Sequence, residues 1–252
     1  HLSIRRQRQM CIRDRYDTQH FSKGIIMKAS NDERLIVALD LPTTKLAKKL
    51  SLDLGDSISI YKIGLALVPV GGFKLVESLK QAGKKVFLDL KLFDIGNTIE
   101  NTVKNLRFLD VDFLTVHGDP QVVRSACQAR GDSNMKILAV TLLTSLDRQD
   151  LTDSLIISGS ISDLVARRAK NAFLAGADGV IASPNEVKKI RTLKESEGKL
   201  IVTPGIRFTG GPVDDQKRTS DPLVAFENGA DFIVVGLSLI HISEPTRRRG
   251  NS

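Results

Sequence analysis

The segment with the highest density of reactive side chains is Asp89-Leu90-Lys91-Leu92-Phe93-Asp94, which holds two carboxylates and an ammonium within six residues. Side chains alternate between the faces of a β-strand, so Asp89 and Lys91 share one face while Leu90 points the other way. Two charges on a buried face are costly unless they pair. The segment therefore predicts either a self-satisfying buried ion pair or a centre for electrostatic and proton-transfer chemistry.

Further polar residues end other apolar runs and favour the second interpretation. Asp40 ends the run LIVALD, and Lys62 lies near the end of SIYKIG. If these ends meet, four charges gather at one place, which is more typical of an active site than of a structural ion pair. His117, in LTVHG, could act as a base, but packing at a strand end is the more common role of such a histidine.

Eight short apolar runs rich in β-branched residues predict strands, and amphipathic stretches separate them. In 73–80 the apolar residues fall mostly on one helical face before Gly83, and a second such stripe runs from Leu164 to Phe173. The predicted strands are Arg34–Leu39, Ile58–Ile63, Lys85–Leu90, Phe113–Val116, Lys136–Thr141, Gly179–Ala182, Leu200–Thr203 and Phe232–Val235.

This alternation predicts an α/β fold, specifically a (β/α)8 TIM barrel. Near-continuous apolar strands separated by helices are typical of a parallel sheet, and eight of them within about 200 residues favour closure into a barrel. No GxGxxG motif follows the first strand, so a dinucleotide-binding fold is disfavoured. Barrel enzymes place their chemistry at the C-terminal ends of the strands, where the polar residues occur here.

The net charge of +8 is concentrated at the two ends of the 252-residue chain. Residues 1–20 carry five arginines against two aspartates, and residues 237–252 carry three arginines against one glutamate, so residues 21–236 keep only +3. Basic ends are usually solvated, and the absence of tryptophan argues weakly against a stacking nucleic-acid binder. We expect no nucleic-acid partner.

Composition sets the remaining limits on the class of protein. Apolar residues make up 41% of the chain, yet no run approaches the roughly 18 residues of a membrane span. The two cysteines, Cys11 and Cys127, have no metal-ligand spacing. These features predict a cytoplasmic protein without a disulfide framework, and Cys127, in a helical stretch, is expected to be buried and inert.

The two ends also differ from the body in pattern. Met27 begins a segment that leads directly into the first apolar run, whereas the residues before it and after Gly236 follow neither helical nor strand periodicity. Both ends resemble translated sequencing-adapter sequence. We therefore predict three regions: a disordered non-native extension over 1–26, a catalytic barrel over 27–236, and a disordered non-native tail over 237–252.

The motifs together resemble the orotidine 5′-phosphate decarboxylase family, of the bacterial type. The pattern DxKxxD after strand 3 follows an aspartate at strand 1 and a lysine at strand 2. DIGNT at 94–98, LTS at 143–145, VTPGIR at 202–207, DDQ at 214–216 and IVVG at 233–236 then follow in the family's order. DxKxxD alone is weak, because related sugar-phosphate enzymes share it, but its combination with PGIR and DDQ is specific.

The resemblance implies decarboxylation of orotidine 5′-phosphate to uridine 5′-phosphate and CO2, the last step of de novo UMP synthesis, without a metal or organic cofactor. Lys91 is implied to stabilise a carbanion at C6 of the pyrimidine and then to protonate it. Asp89 is implied to lie against the departing carboxylate. Lys62 and Asp94 complete an alternating catalytic array, whose carboxylates favour the charged form of Lys91.

The resemblance also implies a homodimer and a set of substrate contacts. Asp94 and Thr98 are shared across the dimer interface, Asp40 and Lys62 hold ribose hydroxyls, and Thr144 contacts the base. Arg207 binds the phosphate, and Gln216 closes over it from a glycine-containing loop, at the usual phosphate position of such barrels. The implied substrate-binding set is Asp40, Lys62, Ile95, Thr98, Thr144, Arg207, Gln216 and Gly236.

One departure and three alternatives accompany this prediction. The family follows strand 8 with Gly-Arg, whereas Leu237 follows Gly236 here, which we interpret as a truncation that also removes the last helix. A metal-dependent sugar-phosphate decarboxylase or aldolase of the same superfamily would use the DxKxxD carboxylates to hold Mg²⁺. The others are a non-catalytic nucleotide-phosphate-binding barrel and a nucleic-acid-binding protein that depends on the basic ends.

Overall fold

A computed structural model of the chain describes residues 33–154, 158–206 and 221–236. Eight parallel strands in this part of the chain close into a barrel in sequence order, and the last strand pairs with the first. The predicted (β/α)8 fold is confirmed. The strands are β1 (Leu35–Ala38), β2 (Ile60–Gly64), β3 (Lys85–Leu92), β4 (Phe113–His117), β5 (Lys136–Val140), β6 (Gly179–Ile181), β7 (Leu200–Thr203) and β8 (Phe232–Val235).

All eight strands occur where the sequence predicts them, with ends that differ by no more than two residues. The largest differences are at β2, which begins at Ile60 rather than Ile58, and at β3, which continues past Leu90 to Leu92. The apolar pattern identifies strands well but marks their ends poorly, because the residues around an end can be apolar or polar in either state.

Helices surround the barrel and pack apolar faces onto the outer surface of the strands. In α2, for example, Leu75, Val76 and Leu79 are buried, as the predicted stripe requires. The α-helices among the described residues are α1 (Thr44–Leu54), α2 (Gly72–Gln81), α3 (Gly96–Leu106), α4 (Pro120–Arg130), α5 (Arg148–Asp153), α6 (Ile161–Leu174), α7 (Pro184–Arg191) and α8 (Pro222–Glu227). The predicted loss of the last helix concerns residues outside the described ranges.

The inside of the barrel is a second apolar core rather than a pore. Phe113 makes edge-on contacts with Phe87 and Phe232, with ring centroids 6.1 and 5.4 Å apart, and these rings fill the lower half. Above them, aliphatic side chains such as Val140 and Val202 continue the core. This packing fills the lower and middle parts of the barrel with apolar side chains.

Three aspartates form similar contacts at the N-terminal end of the barrel, which we call the strand-entry clamps. Each precedes an even-numbered strand. One of its oxygens accepts a hydrogen bond from a backbone N–H at the start of the previous strand and from a basic side chain near the C-terminal end of a helix. The clamps are Asp112 with Val86 and Lys80, Asp178 with Ile137 and Arg130, and Asp231 with Ile201 and Arg191. They provide hydrogen-bond acceptors for backbone N–H groups near the starts of three strands.

Within the residues that the structure describes, no helix combines the length and apolar character needed to cross a membrane.

Candidate active site

The barrel mouth brings together the charges predicted at the ends of the first three strands. Asp89 Oδ2 lies 2.7 Å from the Nζ of Lys91 and 3.4 Å from the Nζ of Lys62. Lys62 also contacts Asp40, with its Nζ 3.0 Å from Oδ1 and 3.2 Å from Oδ2. Asp40, Lys62, Asp89 and Lys91 therefore form one chain of alternating charge, which we call the mouth array.

Exposure to solvent differs strongly along the mouth array. The side chains of Lys62 and Asp89 are both 11% exposed, whereas that of Lys91 is 34% exposed and that of Asp40 is 55% exposed. The paired charges at Lys62 and Asp89 are therefore largely removed from water, where electrostatic interactions are stronger. Lys91 pairs with Asp89 and keeps part of its side chain exposed to solvent.

Asp89 is buried, but its neighbours stabilise the ionised form of its carboxyl group. Burial alone would raise the pKa of this carboxyl, but the ammonium groups of Lys62 and Lys91 and hydrogen bonds from Lys91 and Thr115 outweigh burial. The pKa of Asp89 therefore lies below its ordinary value. The site contains a buried carboxylate that stays ionised at neutral pH.

The backbone of β3 is irregular where it carries these groups. Leu88 pairs with Leu114 and Leu92 pairs with Val116, so three residues of β3 lie opposite the single residue Thr115 of β4. Lys91 has a φ of 48°, in the left-handed region that residues with a Cβ atom rarely adopt. The contact between Asp89 and Lys91 was predicted from regular strand alternation, but a bulge produces it here.

The sequence prediction missed two residues that shape the mouth. The hydroxyl of Thr115, which is fully buried, donates to Asp89 Oδ1 over 2.8 Å and accepts the Lys91 N–H over 2.9 Å. Gly64 lies where a Cβ would be 3.1 Å from Asp40 Oδ1 and 3.3 Å from Lys62 Nζ, so a side chain there would crowd their contact. Thr115 could have been noticed as a hydroxyl inside an apolar strand, two residues before His117 and on the same face.

The residues implied to act across a dimer interface lie on the outside of this single chain. Asp94 is exposed, and its Oδ1 accepts a hydrogen bond from the N–H of Ile95, which is 69% exposed. Thr98 is exposed in the first turn of α3. Within the described ranges Asp94 has no ion pair with Lys62 or Lys91, so three of the four predicted catalytic residues meet in one chain.

The remaining predicted residues lie on the side of β5 to β8. Thr144 is buried in the turn after β5, and Gly236 directly follows β8 at the barrel mouth. Arg207 and Gln216 lie outside the described residues, so their predicted phosphate contacts stay predictions. Of the predicted residues that the structure describes, the charged ones therefore lie in or just after β1, β2 and β3, and the uncharged Thr144 and Gly236 follow β5 and β8.

His117 and Cys127 do not join the mouth array. The ring of His117 packs beside Phe93, with centroids 4.9 Å apart, and burial, together with Arg168 and Lys91, lowers its pKa despite Asp119. A neutral imidazole is therefore expected at pH 7. Burial raises the pKa of the Cys127 thiol to about 11, which makes its thiolate scarce.

The arrangement can support electrostatic catalysis. Among the residues that the structure describes, no group of three or more His, Cys, Asp or Glu side chains is placed to hold a metal ion. Both oxygens of Asp89 already accept hydrogen bonds, one from Lys91 and the other from Thr115. An ammonium held at the mouth beside an ionised carboxylate can stabilise a nearby developing negative charge and can donate a proton to it.

Comparisons with known proteins agree with this geometry. The model of the orotidine 5′-phosphate decarboxylase / HUMPS family matches residues 33–248, which extends beyond the predicted boundary at residue 236 and leaves that boundary a prediction. Proteins named orotidine 5′-phosphate decarboxylase from Ruegeria pomeroyi and Jannaschia sp. are 55% and 54% identical to this chain. The matches cover 85% of this chain in both cases, and 90% and 94% of those proteins respectively.

A solved structure gives the same result at the level of the fold. The crystal structure of orotidine 5′-phosphate decarboxylase from Lactobacillus acidophilus superposes with a TM-score of 0.70 at 37% identity, and covers 82% of this chain and 91% of that one. The predicted resemblance is confirmed, and the chain belongs to the orotidine 5′-phosphate decarboxylase / HUMPS family.

Proposed function

We propose that this chain decarboxylates orotidine 5′-phosphate to uridine 5′-phosphate and CO2, the last step of de novo UMP synthesis. The observation that carries the proposal is the mouth array, in which Lys91 is presented to the open mouth by a carboxylate that stays ionised. Relatives that carry this activity in their names share about half of the sequence over most of both chains.

The reaction needs charge stabilisation in place before the bond breaks. When the bond between C6 and the carboxylate breaks, its electron pair stays on C6, and no neighbouring π-acceptor delocalises it. The ammonium of Lys91 stabilises this carbanion and then transfers a proton to C6, and the resulting amine regains a proton from solvent. Asp89 lies against the substrate carboxylate, and their repulsion disappears as neutral CO2 forms.

The substrate contacts in this proposal divide the mouth by chemistry. Asp40 and Lys62 hold the ribose hydroxyls, Thr144 contacts the base, and Gly236 leaves room at the end of β8. Arg207 and Gln216 bind the phosphate from the segment after β7. Binding of the distant phosphate then contributes to holding the base against Lys91.

We also propose a cytoplasmic homodimer in which Asp94 and Thr98 reach the partner's active site, while Ile95 belongs to the substrate-binding set. The exposure of Ile95 and of Phe93, 69% and 66% respectively, supports this proposal, because neighbouring exposed apolar side chains often mark an interface. Asp94 would then lie beside Lys91 of the partner subunit and complete its row of alternating charges.

The test is the ultraviolet absorbance change of orotidine 5′-phosphate with the full chain in excess EDTA. We expect turnover with the wild-type protein and a loss of at least about 10³-fold in Lys91→Ala, since a proton donor and an electrostatic stabiliser disappear together. Lys170→Ala is the matched control, because it removes an outer-surface lysine that pairs with Glu195 over 3.0 Å.

Two outcomes would contradict the proposal. A folded, dimeric wild-type protein without turnover would favour a nucleotide-phosphate-binding barrel. Activity that requires Mg²⁺ and a sugar phosphate would instead favour the metal-dependent branch of the superfamily, which the DxKxxD carboxylates leave open. Equal losses of turnover in Lys91→Ala and Lys170→Ala would show that Lys91 has no specific role in the reaction.

A further inference from the structure

The irregular part of β3 lies opposite one side chain of β4. Asp89, Leu90 and Lys91 have only Thr115 across from them, because the pairing shifts between Leu88 and Leu92. A regular parallel ladder would give the Lys91 N–H a backbone carbonyl as its acceptor. Here the N–H bonds the Thr115 hydroxyl over 2.9 Å, so a side chain replaces one contact of the ladder.

The direction of both hydrogen bonds at Thr115 follows from the groups involved. The backbone N–H of Lys91 can only donate, so the hydroxyl oxygen accepts there. Ionised Asp89 can only accept, so the single hydroxyl proton points to its Oδ1 over 2.8 Å. Thr115 is fully buried, and water cannot replace it in either contact without rearrangement.

We propose that Thr115 is a positioning residue for catalysis, whose hydroxyl sets the placement of the Asp89 carboxylate and of the Lys91 backbone together. This inference rests on the proposed decarboxylase function and adds a residue to its machinery. Thr115 does not touch the reacting atoms. It holds the left-handed turn at Lys91 from which the ammonium is aimed into the mouth, and it leaves Asp89 Oδ2 to the two lysines.

A purely structural role would have a different signature. A buried threonine that only fills space could be replaced by valine of nearly the same shape, at a cost to stability alone. The Thr115 hydroxyl instead joins two of the predicted catalytic residues at once. Small displacements of reacting groups are costly in rate, because catalysis depends on geometry held within fractions of an ångström.

The test compares Thr115→Val and Thr115→Ala, which remove the hydroxyl, with Thr115→Ser, which keeps it. We expect kcat to fall by about 10- to 100-fold in the first two variants with little change in KM, and to stay near wild type in the serine variant. Thr141→Val is the matched control, since buried Thr141, directly after β5, donates a hydrogen bond to the Ile181 carbonyl over 2.8 Å. It should lose stability without a fall in kcat.

A pH profile gives a readout that a structural role would not change. Asp89 faces Lys62 from β2 and Lys91 from β3, with Asp40 behind Lys62 and His117 at the end of β4. The Thr115 hydrogen bond is one of the interactions that lower the pKa of Asp89. Its removal raises that pKa, so the acidic limb of kcat/KM should move to higher pH in Thr115→Val and stay unchanged in Thr115→Ser and Thr141→Val.

Amide hydrogen exchange separates this inference from the proposed function, because it needs no turnover. The Lys91 amide should exchange faster in Thr115→Val and Thr115→Ala than in the wild-type and serine proteins. An inactive wild-type protein would overturn the decarboxylase proposal, while the exchange at Lys91 would still report on Thr115. Wild-type kcat in Thr115→Val and Thr115→Ala, an equal loss in Thr115→Ser, or unchanged exchange at Lys91 would overturn the positioning role.

Discussion

The two ends of the barrel use the same pair of residue types in opposite ways. In each strand-entry clamp, one carboxylate oxygen accepts from one backbone N–H and one basic side chain, as Oδ2 of Asp178 does from Ile137 and Arg130. In the mouth array, Asp89 is shared by Lys62 and Lys91 and the backbone is twisted into a left-handed conformation beside it. The clamps complete the barrel, whereas the mouth array concentrates charge.

This difference reflects how the charged side chains are paired at each end of the barrel. At the N-terminal end, each clamp carboxylate lies between the start of a strand and the end of a helix. It pairs there with a backbone N–H and a basic side chain of the fold itself. At the mouth, the strands end before the chain returns to the helices, and Lys91 keeps an open side. The same ion-pair chemistry therefore stabilises at one end and is available for reaction at the other.

Among matched aspartate-to-asparagine substitutions at the two ends, we expect the largest loss of activity at Asp89. Asp89→Asn keeps the shape but removes the charge between Lys62 and Lys91, and we expect kcat/KM to fall by about 10²- to 10³-fold, as for loss of one preorganised electrostatic group. Steady-state kinetics at pH 7 would measure this. Activity within a few fold of wild type would show that Asp89 serves only as a structural counter-ion.

The same substitution at Asp178 should affect stability and spare activity. Asp178→Asn weakens the contact with Arg130 while still offering an oxygen to the Ile137 N–H, and we expect a loss of about 1–3 kcal/mol in the free energy of unfolding. Denaturant unfolding measures the loss, and kcat/KM of the folded protein is the control. A large fall in kcat/KM without a change in stability would contradict the division between the two ends.

The smallest expected effect is on the pH dependence of stability, through His117 at the end of β4. Folding lowers the pKa of His117 from its ordinary value of 6.5, so the folded state binds fewer protons than the unfolded state. Its contribution to stability is therefore complete above pH 6.5 and is lost as the pH falls through the lowered pKa. Unfolding measured between pH 7 and 5 should show a shallower decline in His117→Gln than in the wild-type protein.

One outcome would contradict this pH prediction. His117 is the only histidine among the residues that the structure describes, so a slope that persists unchanged in His117→Gln would assign the effect to another group.

Local sequence pattern was enough to predict the strands and the charged residues at their ends. Strand residues alternate and helices repeat about every 3.6 residues, so eight apolar runs separated by amphipathic stretches indicate a barrel without any structure. Strand ends in such a barrel converge, which is why Asp40, Lys62, Asp89 and Lys91 could be placed together in advance.

The sequence by itself therefore determined the order of elements, the closed barrel and the identity of the charges at its mouth. The tertiary structure alone decided the bulge opposite Thr115, the left-handed turn at Lys91 and the strand-entry clamps. An aspartate before a strand looks like an ordinary loop residue until closure brings Arg130 to Asp178, 48 residues away. These features depend on contacts between distant segments, and local periodicity carries no information about such contacts.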